Sequence, residues 1–258
     1  MTKEIPLSGG NTTQGIVRLG STVLRPQKPH SHSVHCLLQH LEAQSFGSSP
    51  RFLGTDESNR EVLSFIEGSS RQPDNFYSNT GLLLKIARLL RDYHNAAANF
   101  DFSGLEWAYS YPDNTRHEII CHNDFAPYNM VFQPNDAISI IDFDLAGPGP
   151  KLRDIAYAAY WTVPLAFRAQ DLVSKAQADL ADGSRRLKLF CNEYGVEADC
   201  ALLDMVSEVL HHMADKEAVA ELLDPVVAES LEEGGHFAHW NAEAGAFDGV
   251  RERLGENL

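Results

Sequence analysis

The stretch from Glu118 to Tyr160, EIICHNDFAPYNMVFQPNDAISIIDFDLAGPGPKLRDIAYAAY, restricts the fold of this chain more than any other. Met130-Val131-Phe132 and Ile138 to Ile141 are two apolar runs. Between them lie Gln133-Pro134-Asn135-Asp136, residues that favour a turn. The pattern predicts a β-hairpin. A hairpin places Asn129, just before its first strand, and Asp142, just after its second, at the same end. Upstream, His122, Asp124 and Asn129 stand at the spacing H-x-D-x-x-x-x-N.

The residue types suit one chemistry. Asp124 can accept a hydrogen bond from a substrate hydroxyl and orient it for in-line attack. Asn129 and Asp142 offer hard oxygen atoms, the ligands Mg2+ prefers, and Mg2+ keeps its other positions for water and phosphate. A base Asp, a metal-binding Asn five positions later and a metal-binding Asp on the next strand form the loop pattern of phosphoryl transfer. One H-x-D alone would read as an acidic turn beside a hairpin. Four ordered positions, each in a suitable strand or loop, carry more weight.

This stretch resembles the aminoglycoside phosphotransferase and choline kinase superfamily, small-molecule relatives of the protein kinases. The family loop usually reads H-G-D-x-x-x-x-N, followed by a strand ending I-D-F/W-D/E. Here Asn123 stands in place of the Gly. Asp144 fits the second acidic position, and Asp154, in Leu152-Arg153-Asp154-Ile155-Ala156, fits an Asp that braces the loop. Pro50-Arg51-Phe52-Leu53-Gly54 and Cys121-His122-Asn123-Asp124 further resemble a bacterial subgroup labelled trifolitoxin-immunity-like. The resemblance implies an α+β, two-lobed protein-kinase-like fold. Residues 1–67 would form a small antiparallel-sheet nucleotide-binding lobe. Residues 68–258 would form a larger, mostly helical lobe for catalysis and substrate. It also implies Mg2+, with ATP or GTP as co-substrate.

The same resemblance assigns nucleotide contacts in the N-terminal part. Gly9 and Gly10 lie in a Gly-rich turn before the strand Gly15 to Leu19, where backbone N–H groups can approach phosphate closely. The strand Thr22-Val23-Leu24-Arg25 carries Arg25 where the family has a phosphate-binding Lys, and Lys28 lies just beyond. Arg can meet phosphate bidentately, with a different fork geometry from Lys. The helix from about His32 to Gln44 has Val34 or His35 where the family's partner Glu is expected, and its one acid is Glu42. The expected Lys–Glu pair is therefore absent or rearranged. Strands follow at Arg51 to Gly54 and Glu61 to Ile66, then Glu67-Gly68-Ser69-Ser70 as the hinge, with the backbone of Ile66 and Glu67 facing the nucleotide base.

Beyond the hinge, Leu82, Ile86, Leu89, Leu90 and Tyr93 recur at helical spacing over Gly81 to Ala97, and His94 is expected to pack or cap. Trp107, Tyr109 and Tyr111 line a substrate pocket or simply pack a loop. Helices are expected at 168–181, 183–194 and 199–213, with shorter pieces to Leu254. The His30/His32/His35, His211/His212 and His236/His239 groups lack the Cys or carboxylate spacing of a closed zinc site.

Charge and cysteine content narrow the partners. A net charge of −15 argues against nucleic acid and membrane. Residues 1–151 carry 12 Lys and Arg against 16 Asp and Glu, while residues 152–258 carry 9 against 20. The acidic C-terminal half suits a cationic small-molecule substrate; solvated helix faces are the commoner source of such charge. The N-terminus lacks the apolar core of a signal peptide, and no run of 18 apolar residues occurs. Four cysteines without a C-x-x-C pair read as reduced thiols of a cytoplasmic protein. Three functions fit this reading. One is transfer of a γ-phosphoryl group to a small-molecule hydroxyl, by a Mg-dependent phosphotransferase with a role such as antibiotic resistance. Another is a kinase-like immunity module that sequesters a peptide or antibiotic without chemistry. The third is phosphorylation of a peptide, for which no activation segment is recognisable.

Overall fold

The structure, a computed structural model, describes residues 3–7, 15–167, 180–222 and 225–258. The N-terminal part is a five-stranded antiparallel sheet of β1 (Ile5–Pro6), β2 (Val17–Leu19), β3 (Thr22–Pro26), β4 (Phe52–Thr55) and β5 (Arg60–Ser64). The strands lie in the order β1-β2-β3-β5-β4. β5 shows the period of two that a half-covered sheet requires: Glu61 and Leu63 are buried, while Arg60, Val62 and Ser64 are half-buried. Helix α1 (Ser31–Ala43), between β3 and β4, covers the sheet. Its buried Val34, Leu37, Leu38 and Leu41 recur at i, i+3, i+4 and i+7.

The remainder is mostly helical. In α2 (Thr80–Ala97) the Asn79 side chain caps the first turn by accepting from the Leu82 N–H at 3.0 Å. Leu83, Ile86, Leu90 and Tyr93 of α2 enter the core. Two small antiparallel ladders follow. One pairs β6 (Ile119–Cys121) with β9 (Gly147–Gly149); the other is the hairpin of β7 (Met130–Phe132) and β8 (Ile138–Ile140), with Met130 opposite Ile140. Helix α3 (Lys151–Thr162) is buried from Arg153 onward, so it runs through the centre of the helical part. Around it lie α4 (Leu180–Tyr194), α5 (Cys200–Ala214), α6 (Lys216–Leu222), α7 (Pro225–Glu233) and α8 (His236–Gly255). The fold is α+β, as expected.

The structure revises several sequence-based expectations. The helix expected at 168–181 lies outside the described residues apart from Leu180 and Ala181, which open α4; Gly183 sits within α4 rather than starting it. The expected shorter pieces up to Leu254 include one helix of 20 residues, α8. Strand β5 ends at Ser64, two residues earlier than expected. The β6–β9 ladder had no local signature, because three-residue strands carry too little alternation to read. Trp107, Tyr109 and Tyr111 belong to a packed loop. The Tyr109 ring lies under the Arg153 guanidinium at 4.5 Å, Tyr111 donates to Glu208 at 2.7 Å, and Trp107 packs edge-on against Phe100.

The link from sheet to helices is tied to the hairpin. Ser69 and Phe132 exchange both backbone hydrogen bonds, at 3.0 and 2.9 Å. Gly68 makes the approach possible. Its φ is +155°, and a Cβ there would stand 2.6 Å from the Phe132 carbonyl oxygen. Gly68→Ala is therefore expected to destabilise the protein by roughly 1–3 kcal/mol, the usual range for forced overpacking. A urea denaturation curve measures it, and an unchanged midpoint would show that the linker yields.

Candidate active site

The site begins with a fully buried carboxylate. Asp154, in the first turn of α3, accepts from the backbone N–H of His122 at 2.6 Å and of Asn123 at 2.8 Å. It also meets His94 Nε2 at 3.1 Å, and His94 Nδ1 meets the Tyr194 hydroxyl at 2.7 Å. Burial alone would raise the Asp154 pKa, but the bonds from His94 and the His122 backbone outweigh it and hold the carboxyl below its ordinary value. Asp154 thus braces the loop, and His94 packs as expected while bracing Asp154.

His122 is a structural member. Burial pushes its pKa down. The ring meets the Ile141 carbonyl through Nε2 at 3.1 Å, and Nδ1 accepts from the Asp124 N–H at 3.3 Å. Neutral imidazole with its proton on Nε2 satisfies both contacts. His122 therefore links the loop to the strand that ends beside Asp142.

Asn123 explains why the resembled loop carries Gly here. Its φ is +63°, in the left-handed region that Gly enters freely and Asn tolerates best among other residues. Asn also adds bonds Gly cannot make. Its amide donates to the Leu145 carbonyl at 2.9 Å, and its side-chain oxygen accepts from Arg153 Nη1 at 2.9 Å.

Asp124 and Asn129 meet directly. The Asn129 amide donates to Asp124 Oδ2 at 2.7 Å and to the Asp124 backbone carbonyl at 3.1 Å. Both amide hydrogens are thereby committed. No protein donor to the Asn129 side-chain oxygen is found among the described residues, which leaves that hard oxygen available to a cation. The Ile141 N–H donates to the Asn129 carbonyl at 2.9 Å, so the hairpin brings Asp142 to the same end. Asp142 also has a left-handed backbone, with φ of +66°.

Asp124 Oδ1 has two phenol donors, Tyr128 at 2.6 Å and Tyr157 at 2.9 Å, whose hydroxyls are 2.8 Å from each other. Burial and the Asp124 charge raise both phenols well above their ordinary pKa, so both remain donors at neutral pH. Tyr128 is 38% exposed as a residue, with its hydroxyl turned in to Asp124.

Across from these lies a cluster of charge. Arg25 donates through Nε to Glu61 Oε1 and through Nη2 to Asp144 Oδ1 at 2.6 Å, and its Nη1 lies 3.7 Å from Asp142 Oδ1. Lys28 Nζ is 2.5 Å from Asp144 Oδ2. Burial opposes the Arg25 charge, but Asp144, Glu61 and Asp142 outweigh it and raise its pKa. Burial raises Asp144 while Arg25 and Lys28 prevail and lower it. Asp142 moves the other way. Burial, then the like charges of Asp144 and Asp124, push its carboxyl up to about 6 against Arg25 and Lys28. Its side chain is still 43% exposed, so solvent screens part of this effect.

The structure thus assembles Asp124 with Asn129, and Arg25 with Asp142. Ile66 and Glu67 stand apart. They border a cavity of about 370 Å³ shared with Phe46, Ser49 and Ser139, and the Glu67 carboxylate pairs with Arg18. Gly9 and Gly10 lie outside the described residues.

Residues 105–190 match the phosphotransferase enzyme family. The matched segment holds the whole loop, the hairpin and α3. The chain is 33% identical over 171 residues to the trifolitoxin immunity protein of Rhizobium leguminosarum bv. trifolii, covering 64% of each chain. The match therefore spans less than two thirds of that relative. An amicoumacin kinase solved with AMP-PNP, Ca2+ and Ami superimposes with a TM-score of 0.63 at 13% identity, covering 99% of this chain and 88% of that one. A choline/ethanolamine kinase family protein of Mesorhizobium loti gives 0.52 at 15% identity, over 95% and 92%. At these identities the two solved structures show a shared kinase-like fold.

Three residues of this site escaped the sequence reading. Glu61 sits in a strand whose partner was not fixed. Tyr157 lies three positions after Asp154 on a helix, hence on the same face, and placing α3 would have revealed it. Tyr128 precedes Asn129 directly, with no pattern to mark it.

Asn123 supplies the test of the loop. Asn123→Ala loses its side-chain bonds and strains the left-handed backbone, whereas Asn123→Gly loses only the bonds. Glycine is expected to be the less destabilising by roughly 1–2 kcal/mol, the left-handed cost for a residue with a Cβ. Equal denaturation midpoints for the two variants would remove backbone strain from this account.

Proposed function

We propose that the protein transfers the γ-phosphoryl group of ATP or GTP to a hydroxyl of a small molecule. The observation that carries this reading is Asn129. Its amide is spent on Asp124, its side-chain oxygen meets no protein donor among the described residues, and its backbone carbonyl accepts from Ile141, the residue before Asp142, so a base and a cation site would meet at this one residue. Asp124 orients the acceptor hydroxyl and takes its proton. The two tyrosines and Asn129 hold its carboxylate in place, so little reorganisation is needed at the moment of transfer. Arg25, with Lys28 beside it, is the cation that meets the nucleotide phosphates.

Asn129 and Asp142 would hold Mg2+, and their oxygen donors fit it. When bound, the ion supplies charge neutralisation for the phosphates. Part of the same proposal is a nucleotide-binding lobe of residues 1–67 and a catalytic lobe of residues 68–258. Gly9 and Gly10 would contact phosphate, and the Ile66 and Glu67 backbone the base. The acidic C-terminal half supports a cationic acceptor, such as an aminoglycoside-like antibiotic. Four free cysteines, and no helix among the described residues long and apolar enough to cross a membrane, support a cytoplasmic setting.

A second reading is favoured by the immunity protein among the relatives. On that reading the protein sequesters a toxic peptide or antibiotic without chemistry. Asp124→Asn separates the two, because it keeps shape but cannot take a proton. A base contributes typically ~10²–10⁴-fold to rate. Turnover and any protective phenotype are expected to be lost, with folding and nucleotide binding close to wild type. Full protection by Asp124→Asn at equal protein level would decide for sequestration.

The metal site has its own signature. Mg2+ and a proton compete for Asp142. The extra thermal stabilisation that nucleotide gains from Mg2+ is expected to be full above about pH 7 and to fade as pH falls through about 6, where Asp142 takes up its proton. A Mg2+-dependent shift unchanged down to pH 5, or equal shifts with EDTA and Mg2+, would count against the assignment.

A further inference from the structure

We infer that Glu61 and His35 are positioning residues for Arg25, an acid–histidine relay that fixes the phosphate-contacting guanidinium. This rests on the phosphoryl-transfer reading above and goes beyond it, because neither residue belongs to the loop pattern. In the general kinase arrangement a strand Lys is held by a helix Glu. Here the acid comes from the neighbouring strand, and the helix contributes a histidine.

The geometry is specific. Arg25 and Glu61 are directly opposite in the β3–β5 register, on the same face. Glu61 is 1% exposed, and both its oxygens are engaged: Oε1 by Arg25 Nε, and Oε2 by His35 Nε2 at 2.5 Å. His35, on the buried face of α1, is fixed in turn by stacking on Phe52, with ring centroids 3.7 Å apart and planes 11° apart. The guanidinium is thereby held along its Nε edge. Its Nη edge is turned to Asp144 and Asp142, where a metal-bound phosphate would come.

This arrangement accounts for Arg in place of Lys. One guanidinium spans Glu61 on one side and the acids on the other, through three nitrogens. An ammonium is a single point charge and cannot hold both directions. His35 also lies on α1, so a displacement of that helix moves the Glu61 carboxylate and with it the plane of Arg25.

The test is nucleotide binding by the full-length protein, measured by calorimetry with Mg–ATP and Mg–GTP, alongside thermal melts. Glu61→Gln and His35→Leu are each expected to weaken the nucleotide bound by wild type about tenfold. His35→Gln, which keeps a donor toward Glu61, should stay within about threefold of wild type. The Glu61→Gln/His35→Leu double variant should bind no more weakly than Glu61→Gln alone, because one chain has already been cut. Arg25→Lys, shown folded by its thermal melt, should bind as weakly as Arg25→Ala. A folded Glu61→Gln or His35→Leu with wild-type affinity, additive losses in the double variant, or wild-type affinity in Arg25→Lys would each overturn the relay while leaving phosphoryl transfer intact. No Mg–nucleotide binding by the wild-type protein would overturn the functional reading itself, and the relay with it.

Discussion

The buried carboxylate of Asp154 is the contact on which the rest of the site depends. A loop that turns through a left-handed residue leaves backbone N–H groups pointing into the protein, and buried donors without partners are costly. Asp154 takes two of them in succession, from His122 and Asn123, and is itself held by His94 of α2. One side chain thereby joins α2, α3 and the loop. His122 extends the arrangement to the end of β8 through the Ile141 carbonyl, and Asn129 closes it by meeting Asp124. Asp124 and Asp142 sit at the ends of this frame, and Tyr128, Tyr157 and Asn129 then fix the Asp124 carboxylate.

Charge balance is the second organising constraint. Asp124, Asp142, Asp144 and Glu61 gather four acids in one region, with Arg25 and Lys28 as the close cations. Arg25 and Lys28 both lie on Asp144, which holds that carboxyl down. Asp142 receives the weaker share, with Arg25 at 3.7 Å, and its pKa rises. The two acids of the I-D-F-D run are thus differentiated: one is satisfied by protein cations, and the other retains an unmet demand for positive charge.

What could be read from the sequence was whatever is local. The spacing from His122 to Asn129, the hairpin and Asp142 are close along the chain, so a linear pattern records them. α2 announced itself through apolar periodicity. The partner of Arg25 was not legible, because Glu61 is 36 residues away and its role follows from the β3–β5 register. The helix around His32 to Gln44 could be searched for an acid, but nothing local showed that His35 would meet one from another strand. Tyr157 was hidden for a related reason: α3 is buried almost all round, so it shows little amphipathic contrast. The aromatics of residues 99–117 drew attention by composition, and packing against Arg153, Glu208 and Phe100 employs them.

The paired backbone bonds between Ser69 and Phe132 have a bearing on how the chain could be divided. By connectivity the linker continues from the sheet, but by hydrogen bonding it is an extra edge on the hairpin. A chimera that joined this sheet to the helical part of a relative after Ser69 would pair a linker from one parent with a hairpin from the other. Gly68, with no room for a Cβ against Phe132, makes that seam unforgiving. The natural crossover lies earlier, after β5, so that linker and hairpin travel together as one inherited unit.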